Sequence, residues 1–317
     1  MTTASATQPN TAAYRAIITA CVMMATLMQA LDTTIVNVAL PYMQGSLSAS
    51  PDQITWVLTS YIVAAAIMTP PVGWLSARYG RKNFLLVCLV GFIVASMLCG
   101  ASESIAEMVL FRAVQGMFGA SLVPLSQATI LDIFPPAQRD QALAIWVMGI
   151  IVGPILGPTL GGYLTDFYNW RWVFYINLPI GILTFAGLWI FMKDAGRSSV
   201  PHFDFLGFAV LSVALGAFQL MLDRGELKDW FGSTEIIIYA VLSGLGIYLF
   251  LVQMLSVDAP LIPPRLFRDV NFVSGLLLIF IVGMMILAIV ALLAPYLQAL
   301  AGRSVVDAGL LLAPRGA

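Results

Sequence analysis

The sequence predicts an all-α polytopic membrane protein, and three observations carry that prediction. Hydrophobic residues make up 60% of the 317 and charged residues 10%, against roughly 45 to 50% and about 25% in soluble globular domains. Too little charge remains to cover a surface facing water. The apolar residues fall in runs of about 20, the length a helix needs to cross a bilayer core. Finally, the basic residues concentrate in alternate connectors between those runs, as the inner loops of membrane proteins require.

Nine spans follow in order. The first, 16–39, starts behind Arg15, is longer than the apolar core of a signal peptide, holds Asp32 and lacks a small-residue cleavage site, so it reads as a retained span. The second, 54–76, and the third, 83–101, flank the string GWLSARYGRK. The fourth, 108–131, opens near Arg112, and the fifth, 141–164, repeats glycine every four residues. The sixth, 172–192, ends before a polar connector, 193–204. The seventh and eighth, 205–222 and 235–255, are joined through MLDRGELKDWF, and the ninth covers 273–299. A further apolar run, AGLLLAP, begins close to the last residue, so the 317 residues are expected to be a fragment.

With the N-terminus inside, the inner segments hold nine basic residues: Arg15, Arg78, Arg81, Lys82, Arg139, Lys193, Arg197, Arg265 and Arg268. The outer loops hold four, Arg171, Arg224, Lys228 and Arg303, which places the N-terminus in the cytoplasm. Trp56, Trp170, Trp172 and Trp230 fall near outer span ends and read as headgroup anchors.

Several function classes drop out. A net charge of −1 offers no basic field for nucleic acid. Cys21, Cys88 and Cys99 form no CxxC pair and His202 is the single histidine, so neither a metal nor a cofactor is expected. With no acid/base pair, nucleophile constellation or nucleotide loop, an enzyme is the least supported class.

Charges inside spans are costly and therefore informative. Asp32 lies about fifteen residues into the first span, roughly 22 Å from its inner edge. That is about 8 Å below the outer edge of a core about 30 Å thick. Arg112, about four residues into the inward-running fourth span, lies roughly 6 Å below the same edge, so the two are expected to pair. Gln29, Asp32, Thr33 and Asn37 are assigned to one polar stripe, and Arg112, Gln115, Gly119 and Ser126 to another. Two readings stand: a hydrated or substrate-lined cavity, or a polar seam that glues helices together.

In the fifth span Gly149, Gly153, Gly157 and Gly161 share one face, with Pro154 and Pro158 between them and Gly162 following. The glycines allow close backbone approach and the prolines predict a bend. The string from Gly73 to Lys82 is read as a short loop whose Arg78, Arg81 and Lys82 are at minimum a topology signal.

That loop, with Gly73, Arg78, Gly80, Arg81 and Lys82, resembles the G-x-L-x-x-R-x-G-R-K signature between helices two and three of the major facilitator superfamily. The segment from Arg112 through Gln115 and Gly116 is similar to its RxxQG motif, and GPILGPTLGGYL to its antiporter motif. LDTTIVNVALP, WRWVFYINLPIG and MLDRGELKDWF resemble the fourteen-helix drug:proton antiporters of the EmrB/QacA type. One departure is visible: Ala77 stands where the loop signature usually carries an acid.

The resemblance implies a cytoplasmic tail, 1–15, and a six-helix bundle over 16–192 with the connector 193–204 after it. Two additional helices over 205–255 and the start of a second bundle over 256–317 would follow. It implies export of amphipathic or aromatic drugs in exchange for protons across a bacterial inner membrane, the alternatives being a transporter of one specific metabolite with the same fold or an inactive fragment; the buried charges Asp32 and Arg112 are read as the proton-coupling pair. On the polar-stripe reading Gln29, Thr33, Asn37, Gln115 and Ser126 would line the substrate cavity, and the resemblance implies that the loop signature serves as a gate, which Ala77 puts in question. A periplasmic adaptor protein and an outer-membrane channel are the implied partners.

Overall fold

The computed structural model describes residues 12–193, 196 and 202–295, with side chains through 285. Arg197, Arg303, Arg315 and the tail before Ala12 lie outside the described residues, as does AGLLLAP.

Every described span is helical. α1, Ala12–Ser46, is 35 residues long, and its buried positions Ile18, Val22, Ala25, Met28, Asp32, Ile35, Val36, Ala39 and Met43 recur at three- and four-residue spacing. Asp32 therefore occupies a core register. α2, Pro51–Met68, begins on a capping box in which Ser50 and Gln53 bond each other's backbone and Pro51 supplies the first turn. It stops at Thr69-Pro70-Pro71, and α3, Val72–Tyr79, leaves at 61° to it. A single residue, Gly80 at φ +87°, separates α3 from α4, Arg81–Ala101.

The string expected to be a loop is thus a helix, a glycine corner and the start of the next helix. Gly73 and Arg78 sit within α3, and Arg81 and Lys82 open α4. The apolar residues Val72, Trp74 and Leu75 carry helical periodicity past the proline pair, and only the left-handed backbone at Gly80 reverses the chain.

The fourth expected span is two helices in line, α5, Ile105–Gly119, and α6, Leu122–Ile133, with a break at Ala120 and Ser121. α7, Pro136–Phe167, is one 32-residue helix that continues through Pro154 and Pro158. The sixth span comprises α8, Trp172–Tyr175, and α9, Asn177–Phe191, jointed at Ile176. α10, Phe205–Arg224, is capped by Asp204 and pairs with α11, Thr234–Ser256. α12 runs Val270–Pro295, so the last residues of the expected span 273–299 lie outside the described residues.

By length and composition seven described helices can cross a membrane, or eight if the bent α2–α3 pair counts as one span. The chain is a multi-pass membrane protein.

α1 to α9 enclose the core, with α1 central against α7 and α9. One apolar cluster, including Val22, Met28, Leu89, Phe92 and Leu122, fills the end where the chain enters. A second, including Ile35, Val57, Cys99, Met108 and Phe174, fills the other end. Asp32 falls between the two. Trp170 is 4% exposed and packs edge-on to Phe174, under the Arg171 guanidinium, so it is a core side chain and not a headgroup anchor. Trp172 and Trp230 are exposed.

The α10–α11 pair docks on α2 through α10. Arg224, only 6% exposed, bonds Glu235 at 3.0 Å and Asp52 at 3.5 Å and lies over the Trp56 ring. Thr59 donates to Asp223 beside it. Three helices are thereby tied at one end by a single partly desolvated cation.

Candidate functional site

Between the two apolar clusters four helices converge on one carboxylate. Asp32, Ser96, Arg112, Gln115 and Asn177, from α1, α4, α5 and α9, are each at most 1% exposed. Arg112 donates to Asp32 Oδ2 at 2.7 Å and to Gln115 Oε1 at 2.7 Å from one nitrogen, and its Nε donates to the Val57 carbonyl at 3.1 Å. Its planar face lies 4.3 Å from the centre of the Tyr61 ring, which adds a cation–π contact from α2.

The second carboxylate oxygen is equally engaged. Asp32 Oδ1 accepts from Gln115 Nε2 at 2.8 Å and from Asn177 Nδ2 at 3.1 Å. Asn177 also donates to Ser96 Oγ at 2.9 Å, and Ser96 in turn donates to the Phe174 carbonyl at 2.9 Å. Three donors, one of them charged, compensate the desolvation that a buried carboxylate suffers. Asp32 has no exposed surface, so contact with solvent requires a movement that parts α1 from its neighbours.

The local sequence explains this convergence. Gly116, one residue after Gln115, has no side chain, and the Tyr61 carbonyl of α2 occupies the space its Cβ would need. That contact brings Val57 and Tyr61 within reach of Arg112.

The structure brings Asp32, Arg112 and Gln115 together, but not the rest of the two stripes. Asn37 is exposed and donates to the Thr33 carbonyl, Thr33 bonds the Ala30 carbonyl, and Gln29 is half-buried. At 100° per residue Asn37 is turned well away from Asp32, so the α1 stripe is two faces. Gln115 is fully buried within the ion-pair network, and Ser126, also fully buried, sits on α6 beyond the break after Gly119. Neither lines an open cavity in this conformation. Sequence reasoning missed Asn177 and Ser96; a single amide within the apolar stretch after INLPIG begins, and a lone serine in the third span, were the available signals.

On α7 the glycine face meets α1. A Cβ at Gly153 would lie 2.6 Å from that of Ala30, one at Gly157 would overlap the Thr34 hydroxyl, and one at Gly161 would lie 2.9 Å from Ile35. Gly162 is buried beside Gly161, and Gly149 approaches Met23. This seam lets α7 pack directly on the helix that carries Asp32.

At the end of the bundle where α1 begins, Arg81 bonds Asp132 and the Ala128 carbonyl of α6, at 3.0 Å for the latter. Lys82 donates to the Trp189 carbonyl of α9 at 2.8 Å. Asp132 therefore supplies Arg81 with an anion, while Ala77 contributes none. Arg15 bonds Gln138 at this same end, so the start of α1, the α3–α4 corner and the α6–α7 corner share one side.

The family profile described as Major Facilitator Superfamily matches residues 22–315. The chain is 41% identical over 310 residues to the multidrug export protein EmrB of Escherichia coli K12, covering 98% of this chain and 60% of that protein. It is 38% identical to the fatty acid resistance protein FarB of Neisseria gonorrhoeae, covering 97% and 61% respectively. The chain thus spans about 60% of the length of these curated relatives. Among solved structures it is similar in fold to the human organic anion transporter MFSD10, with a TM-score of 0.53 at 15% identity over 75% of this chain and 71% of that one. A bacterial homolog of the human lysosomal transporter Spinster, inward-facing and unoccupied, gives 0.52 at 20% identity over 81% and 59%. The helical order, the glycine seam, the glycine corner and the profile match agree: the chain belongs to the major facilitator superfamily.

Proposed function

We propose that the protein exports amphipathic or aromatic drugs across the bacterial inner membrane in exchange for protons. The observation that carries this reading is the sealed Asp32–Arg112 pair, an ionisable group held at the centre of the bundle where its protonation must be tied to helix movement. The names multidrug export protein and fatty acid resistance protein, borne by relatives, support an amphipathic cargo.

In this mechanism Asp32 is the proton-binding group and Arg112 its charge partner. Protonation from the outer side neutralises the carboxylate and weakens its hold on Arg112, and deprotonation toward the inside restores the pair. Because the two conformations bind the proton differently, the proton gradient biases their populations. Residues 16–192 form the first bundle, 205–255 an added helix pair and 256–317 the start of a second bundle, with the substrate site between two halves that rock. Gln29, Thr33 and Asn37 on α1, with Gln115 and Ser126 uncovered by that movement, line the cavity. Gly73, Arg78, Gly80, Arg81 and Lys82 gate its inner side, with Asp132 supporting Arg81. A periplasmic adaptor and an outer-membrane channel would complete the export route.

The test uses the full-length protein in acidified everted vesicles. A panel of amphipathic and aromatic compounds is expected to trigger proton release for several members. Release by one compound alone would indicate a dedicated metabolite transporter, and release by none would overturn the antiport reading.

Orientation is tested separately, in cells whose transporter lacks Cys21, Cys88 and Cys99. A cysteine at Ser76 is expected to be shielded from an impermeant thiol reagent and one at Ser233 to react. The opposite pattern would invert the topology.

A further inference from the structure

We infer that Asn177 is a positioning residue for the proton site, holding Asp32 in its charged form and linking it to α4 and to the α8–α9 joint. The inference rests on the reading of Asp32 as the proton-binding group. It is carried by the juxtaposition of three hydrogen bonds that leave the amide one orientation.

Ser96 has a single hydroxyl hydrogen, and it is directed at the Phe174 carbonyl, 2.9 Å away. Ser96 Oγ can therefore only accept from Asn177, which places the amide nitrogen toward Ser96 at 2.9 Å. The same nitrogen is 3.1 Å from Asp32 Oδ1. Both amide hydrogens are thus committed, one to the carboxylate and one to the serine. Turning the amide over would set its oxygen against a carboxylate oxygen and pull the Ser96 hydrogen off the Phe174 carbonyl.

This arrangement forms a line of bonds from Asp32 on α1 through Asn177 on α9 to Ser96 on α4, ending on the backbone at Phe174, two residues before the Ile176 joint. A donor to the carboxylate stabilises its charged form over the acid. Asn177 therefore helps to set where on the pH scale Asp32 takes up its proton, and uptake weakens the bond that ties α9 to α1. Gln115, the neighbouring donor on the same oxygen, also receives Arg112, so it acts within the charge pair. Among the described residues the titratable and charged side chains around Asp32 are Arg112 from α5, Tyr61 from α2 and Cys99 from α4, and none is changed by the substitutions below.

The experiment measures the pH profile of substrate-dependent proton release by the full-length protein in vesicles, together with KM and the maximal rate. Asn177→Leu keeps the bulk and removes both donors. A hydrogen bond to a charged group is worth on the order of one unit on the pH scale, about tenfold in proton affinity. The midpoint is expected to move upward by about that amount, with KM for substrate little changed. Ser96→Ala leaves Asn177 in place but unanchored, so a smaller upward shift is expected; this variant carries the test if Asn177→Leu fails to reach the membrane. An unchanged midpoint in both variants, while Asp32→Asn loses proton release, would overturn this inference alone. Proton release that keeps its normal pH profile in Asp32→Asn would overturn the reading of Asp32, and this inference with it.

Discussion

Asp32→Asn in the full-length protein is expected to reduce substrate-driven proton release to the level of vesicles that lack the transporter, while the protein remains in the membrane at near-normal amount. The substitution keeps the size of the side chain and an acceptor oxygen for Arg112. It removes the carboxylate that takes up the proton in the proposed mechanism. Arg112 would still have Gln115 Oε1, the Val57 carbonyl and the face of Tyr61, so the guanidinium is not stranded. The converse change is more damaging to the fold. Arg112→Ala would leave a fully buried carboxylate with amide donors only, and stripping one partner from a buried pair costs roughly 3–5 kcal/mol. Arg112→Lys retains the charge but loses the planar fork that bonds Asp32 and Val57 from separate nitrogens, so partial coupling is expected. Normal proton release from Asp32→Asn would make Asp32 a structural residue.

Gly116→Val should be the most disruptive change to packing. A Cβ at Gly116 collides with the backbone carbonyl of Tyr61, which cannot rotate aside as a side chain would. α2 and α5 must separate, and overpacking of this kind costs about 3 kcal/mol. The displacement also carries Val57 and Tyr61 away from Arg112, so the fold and the ion pair fail together. Gly244→Ala on α11 provides the control, because nothing lies within 4 Å of its Cβ. Membrane level and the aggregation temperature of the detergent-solubilised protein should fall for Gly116→Val and stay unchanged for Gly244→Ala. Equal behaviour of the two variants would show that the α2–α5 contact is not limiting.

Membrane class, the order of the spans and the pairing of Asp32 with Arg112 are legible in the chain itself. Charge is too scarce to cover a water-facing surface, and two opposite charges at matching depth in apolar helices have few other partners. The glycine seam is legible for a similar reason: spacing of four places small residues on one face, where a neighbouring helix can approach closely. Even the inward direction of Asp32 is encoded locally, since it continues the register of Val22, Ala25, Met28, Ile35 and Ala39, whereas Thr33 and Asn37 do not. Gln29, Thr33 and Asn37 follow one another at four-residue spacing, whereas Asp32 is turned about 60° or more from each of them.

Three features depended on tertiary structure. The basic string is a helix between the proline pair at Pro70 and Pro71 and the left-handed Gly80, and it packs as α3 against α4 and α6. Trp170 turned inward because Phe174 and Arg171 surround it, where proximity to a span end alone had suggested the headgroups. Asn177 reaches Asp32 across 145 residues of sequence, and Ser96 reaches Asn177 across 81. A lone amide in an apolar helix announces that it needs a partner, but which helix supplies that partner is decided only when α1, α4, α5 and α9 pack around one carboxylate.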